Sequence, residues 1–138
     1  MRKSLVLVFA AVAVLALAIA IPRTFAGNAH FVEVSIARSG NTLSASGKIA
    51  GLGDEPQVHV VLTFNAACIN PGSHHPNAAN KESFSAEGDF PVQNGKAEFS
   101  LSATATFKPD CTPPMSLVFS DAQVCDVTHN ICQTLAIP

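Results

Sequence analysis

The chain has 138 residues, 48% of them apolar and 13% charged, with 8 basic and 10 acidic side chains and a formal net charge of −2. That composition is too apolar for a disordered tail and too poor in positive charge for a nucleic-acid or anionic-lipid surface. Tryptophan and tyrosine are absent, which removes the exposed rings on which sugar-binding β-domains commonly stack ligands and lowers a lectin reading.

The first feature in chain order is a leader. Arg2 and Lys3 precede an uncharged apolar run from Leu5 to Ile21, Pro22-Arg23 breaks it, and Thr24 and Ala26 place small residues three and one before a cut. This is the layout of a secretory signal peptide over residues 1–26, followed by a single mature domain over residues 27–138. A retained anchor is the competing reading, but the run is at the short end of a spanning length and a cleavage-type sequence follows it. The expectation is therefore a secreted or periplasmic, extracytoplasmic protein with no membrane span after signal removal. Losing Arg2, Lys3 and Arg23 leaves five basic residues, Arg38, Lys48, Lys81, Lys96 and Lys108, against ten acidic ones, a net charge of −5.

From Val32 onward the chain alternates apolar and polar residues with a period of two, the signature of half-buried strands. Val32, Val34 and Ile36 start the pattern, and Arg38-Ser39-Gly40-Asn41 turns the chain. Leu43, Ala45 and Ile49 form the second strand, Gly51-Leu52-Gly53-Asp54 turns again, and Val58, Val60, Leu62 and Phe64 face inward from the third. Phe84, Ala86, Gly88 and Phe90 mark the fourth, Asn94-Gly95 is a strong hairpin signal, and Ala97 to Phe107 gives the cleanest alternation, a fifth strand. A sixth begins at Leu117 and Phe119 and ends near Cys125, and a seventh runs from Ile131 to Ile137. The fold predicted is an all-β, antiparallel, immunoglobulin-like β-sandwich of about seven strands, with a small Greek-key barrel as the alternative.

Cys68, Cys111, Cys125 and Cys132 are an even set in an exported chain, which reads as two disulfides. Three pairings are possible. Residues 126–130 can fold back and set Cys125 opposite Cys132 across a hairpin, which favours Cys125–Cys132 together with Cys68–Cys111. A metal–thiolate or redox site is disfavoured because there is no Cys-x-x-Cys.

The longest connection expected is Ala66 to Lys81, and loops of that length are usually functional or tied down. It contains Asn70, Gly72, His74 and His75, a candidate binding loop. His74 and His75 could bind copper or zinc, with His59 or an acidic residue completing the site, although adjacent side chains in extended backbone point apart. His30 is a further candidate, since a cut after Gly27 or Ala29 would put it third or first in the mature chain. No nucleophile elbow, zinc-protease or phosphate-loop pattern occurs. The acids at Asp54-Glu55, Glu87-Gly88-Asp89, Asp121 and Asp126 read as solvated.

The combination of Asn28-Ala29-His30-Phe31, Leu43-Ser44-Ala45-Ser46-Gly47, Gly51-Leu52-Gly53, Cys68-Ile69-Asn70-Pro71-Gly72, Asn94-Gly95-Lys96 and Pro109-Asp110-Cys111 resembles a group of small exported bacterial proteins of unassigned function. The Cys-x-Asn-Pro-Gly segment is its most specific part. The resemblance implies export, a β-rich domain and pairing of Cys68 with Cys111, and it brings no catalytic residues. The chain departs from the pattern at Ser73-His74-His75. The function expected is a non-catalytic binding or surface-interaction module without a cofactor, its partner an unknown protein or cell-surface ligand. The alternative is an extracytoplasmic copper- or zinc-binding protein using the histidines.

Overall fold

The computed structural model describes residues 28–70 and 80–138. Seven antiparallel strands account for most of them: β1 (His30–Ser39), β2 (Thr42–Ala50), β3 (Gln57–Ile69), β4 (Lys81–Gln93), β5 (Lys96–Thr104), β6 (Ser116–Asp126) and β7 (Ile131–Thr134). Their spatial order is β1-β2-β5-β4-β3-β6-β7. β4 belongs to two ladders. Lys81 to Pro91 pair with β3, whereas Val92 and Gln93 pair with Ala97 and Lys96 of β5. Pro91, which lacks a backbone N–H, sits where the strand changes partner.

Alternation along each strand explains the core. Leu43, Ile49, Val58, Val60, Leu62, Phe64 and Val124 have at most 1% of their surface exposed, and their sequence neighbours, Ala50 beside Ile49 excepted, are more exposed. Phe64 lies at the centre, its ring stacked on Phe84 at 5.8 Å and edge-on to Phe119 at 5.3 Å. Phe99 is met by Phe31 and Phe90 at 6.0 and 6.3 Å. These edge and offset contacts add roughly 0.5–1.5 kcal/mol per pair beyond area burial. Arg38, at the far end of β1, donates from its guanidinium to Leu117 O of β6 at 3.0 Å and lies over the Phe119 ring at 4.6 Å. It therefore ties the first strand in the sheet order to the sixth.

Two bulges reshape the ladders. In β1 the register with β2 shifts between Val32 and Ser35, and Glu33 holds a φ of 54°. The bulge drops Val34 onto Gly47, where an added Cβ would stand 3.0 Å from Val34 and 3.1 Å from the Phe99 ring. In the β3–β6 ladder, Asn65 pairs with Ser120 and Thr63 with Gln123, leaving Asp121 and Ala122 opposite Phe64. Asp121 holds a φ of 53°. Gly51, at φ 76°, packs against the backbone of Asn28, so any side chain there would displace the start of the described chain.

The predicted hairpin at Asn94-Gly95 forms, with both residues at positive φ. Both predicted disulfides form, Cys68–Cys111 and Cys125–Cys132, and no cysteine is free. Several boundaries differ from the pattern. β3 does not end at Phe64: Ala66 and Cys68 continue its inward face, at 0% and 4% exposure, and Ala67 pairs with both Lys81 and Val118. The long connection is shorter by that much, and Cys68 lies inside a strand rather than opening a loop. β5 stops at Thr104, although Ala105 N still donates to Asn41 O, its opposite residue in the β2–β5 register, at 2.8 Å and Ala105 and Phe107 remain buried. β7 stops at Thr134, and Leu135 stays docked through its N–H to Ala122 O.

Candidate functional site

The outward residues of β4, β3 and β6 form a polar face. Thr63 and Asn65 of β3 lie between Ser83 and Ser85 of β4 on one side and Asp121 and Gln123 of β6 on the other, lining a shallow open depression. Its floor is fixed from below by Phe64 and Phe84, both packed in the core. Asn65 is held at both ends: its Nδ2 donates to Asp121 Oδ2 at 3.1 Å, and its Oδ1 accepts from the Ser83 hydroxyl at 2.6 Å. Those bonds set which way the amide faces. The second oxygen of Asp121 and the polar ends of Thr63, Ser85 and Gln123 are left with no side-chain hydrogen bond inside the described residues.

The outer face of the β1–β2–β5 ladder is built differently. Its hydroxyls bond one another, Thr42 to Thr104 and Ser44 to Ser102 at 2.7 Å and Ser35 to Ser46 at 3.2 Å. Lys48 lies 3.8 Å from both Glu33 and Glu98. Polar capacity there is largely turned inward on the sheet itself.

Two histidine clusters occupy one end of the β3 ladder. His59 sits opposite Asp89, with Nδ1 2.8 Å from Asp89 Oδ1 and Nε2 3.2 Å from Glu87 Oε2. The hydrogen bond to Asp89, then that to Glu87, raises its pKa above the ordinary 6.5. The two carboxylates lie on opposite edges of the ring, so His59, Glu87 and Asp89 do not converge on one point where an ion could sit. His129, in the β6–β7 turn, places Nδ1 2.6 Å from Asp126 Oδ2 and Nε2 2.7 Å from Glu55 Oε2. Asp126 is completely buried. The Glu55 contact lies off the ring N–H axis, so these two enclosed atoms have no in-line hydrogen bond. Burial works against a charged His129, but the interactions with Asp126 and Glu55 outweigh it and raise the pKa above 6.5.

The expected site residues are distributed as follows. His30 is exposed on β1, its Nδ1 2.8 Å from Asn28 O. His59 is on β3, in the other ladder, engaged as described. Asn70 is exposed just past β3. Gly72, His74 and His75 lie outside the described residues. Among the described residues no group of three or more His, Cys, Asp or Glu side chains is arranged to hold a metal ion, and no helix is long and apolar enough to cross a membrane. The reading of the acids as solvated fails for Asp126, which is enclosed, for Glu55, which meets His129, for Glu87 and Asp89, which clamp His59, and for Asp121, which holds Asn65. Asn65, Ser83, Asp121 and His129 carried no signal at sequence level. Their partners are 18 or more residues away for Asn65, and only the Asp126–His129 spacing of three is local.

No family model, curated protein or solved structure matches the chain.

Proposed function

We propose that the protein is a small exported binding module, its two ladders facing each other as an immunoglobulin-like sandwich, which recognises a protein or cell-surface ligand without catalysis. The recognition surface is the outer face of β4, β3 and β6. One observation carries this reading: Asn65 is fixed by Ser83 and Asp121 in a depression whose other polar groups remain unpaired, and Asp121 adopts a left-handed backbone to complete that arrangement. Backbone conformations of this kind persist where the surroundings over-determine them, often at binding sites. Hydrogen-bonding groups held rigidly at a surface lose little entropy when a ligand arrives. An extracytoplasmic location agrees with the two disulfides.

The test is retention of purified protein on isolated cell envelopes. An Asn65→Ala/Gln123→Ala variant is expected to lose retention while Ser102→Ala, on the opposite face, keeps it. Equal retention of both variants places recognition elsewhere, and no retention of the wild type removes the cell surface as the ligand.

A further inference from the structure

We propose that His129 is a proton-operated latch, fastening the β2–β3 loop to the β6–β7 turn while its ring is doubly protonated and releasing it when the ring is neutral. The argument begins with geometry. The backbone N–H of His129 and its Nδ1 both point at the carboxylate of Asp126, at 3.2 and 2.6 Å. Asp126 has no exposed surface, so its charge needs these donors. That commits Nδ1 to carrying a proton. Nε2 then lies 2.7 Å from Glu55 Oε2, off its N–H axis, with both atoms enclosed and without another partner. A neutral ring would leave a lone pair against a carboxylate oxygen at that distance. Only a second proton makes the contact attractive.

The contact joins two segments that are otherwise far apart in sequence. Glu55 belongs to residues 51–56, which are held by Leu52 N to Gly95 O at 2.9 Å and by Val92 N to Pro56 O at 3.1 Å. His129 belongs to the turn at 127–130, which is held by Val127 N to His59 O and by His59 N to the Thr128 hydroxyl, both at 2.9 Å. The charged groups facing this end are Glu55 from the loop, Asp126 from β6, and, beyond Thr128, His59 with Glu87 and Asp89 of β4. Most are acidic, so loss of the His129 proton leaves uncompensated negative charge between the two segments. Leu52, wholly buried three residues before Glu55, is the apolar side chain that release would loosen. The raised pKa of His129 has the direction this requires. The latch does not depend on the β4–β3–β6 face being a recognition surface.

The test is amide exchange on the whole exported protein, followed by NMR from about pH 5 to about pH 9, a span that brackets the ordinary histidine range. Protection at Leu52 and Val127 is expected to fall through the titration of His129, read from its ring protons in the same samples. In Glu55→Gln the side-chain amide can donate to a neutral Nε2, so protection is expected to stay level across the range. In His129→Gln it is expected to lose its pH dependence. Wild-type protection that is unchanged through the His129 titration overturns the latch, as does an equal fall in Glu55→Gln or His129→Gln.

Discussion

Asn65 Nδ2 donates to Asp121 Oδ2 across the β3–β6 ladder at 3.1 Å, and Asp121 reaches that position with a φ of 53°. Aspartate and asparagine tolerate this backbone because their short polar side chains bond locally, whereas most L-residues lose about 1–2 kcal/mol there. Asp121→Asn is therefore expected to unfold in urea within about 0.5 kcal/mol of wild type. Asp121→Ala keeps the unfavourable backbone and loses the hydrogen bond, for a cost of about 1–2 kcal/mol. If alanine is tolerated as well as asparagine, the Asn65 bond contributes nothing to holding the bulge.

Gly47 makes a complementary prediction for the β1 bulge. A methyl group added there meets Val34 backbone and side chain at 3.0 Å and Phe99 at 3.1 Å, and neither neighbour is a flexible chain end. Gly47→Ala should destabilise by about 1–3 kcal/mol, the range for overpacking. Gly40→Ala is a useful contrast. It has open space around it but a φ of 57°, so its cost of about 1 kcal/mol is backbone strain alone. Equal stability of Gly47→Ala and wild type in denaturant titrations would mean that β1 shifts freely over β2.

The strands were legible because each one alternates: Leu43, Ala45 and Ile49, or Ala97, Phe99 and Leu101, announce one buried face on their own. Cys125 and Cys132 were legible for the same local reason, a short turn between two strands. The end of β3 was misplaced because Ala66 and Ala67 are poor strand formers by propensity, and their burial comes from Lys81, Phe119 and Val118 on neighbouring strands. The polar face could not be read at all. Asn65, Ser83 and Asp121 converge only once β4 and β6 flank β3 in register, and register is a tertiary property. Glu55 and His129 are joined by the same kind of long-range closure, so an acid that looks solvated in sequence meets an enclosed histidine in the fold.

Stability should depend on pH with a definite sign. His59 and His129 both have folded-state pKa values raised above the ordinary 6.5, His59 through Asp89 and Glu87, His129 through Asp126 and Glu55 against the opposing effect of burial. The folded state therefore binds protons more tightly than the unfolded chain. The stability this contributes is complete below the unfolded value of 6.5 and is lost as pH rises through the raised folded values. Urea midpoints should accordingly fall between about pH 6 and about pH 9 in the wild type, with a shallower fall in His129→Gln. A midpoint that rises across this window would show that neither histidine gains a proton on folding.

The two disulfides should differ in worth, and the fold adds a reason beyond loop length. Cys68–Cys111 closes a separation of 43 residues and Cys125–Cys132 one of 7. Chain entropy alone gives about 4 kcal/mol for the first and about 2–3 kcal/mol for the second. Cys68 is also 4% exposed within the inner face of β3, and Cys111 packs against the core from the irregular segment that follows β5. Its loss leaves a packing defect as well as a freed segment, whereas Cys132 is exposed on a short edge strand. Nonreducing peptide maps should recover both bonds. A Cys68→Ser/Cys111→Ser variant should lose more stability in urea than Cys125→Ser/Cys132→Ser. The reverse order would mean that the β6–β7 turn, with Asp126 and His129 inside it, depends on its disulfide more than the core depends on the longer closure.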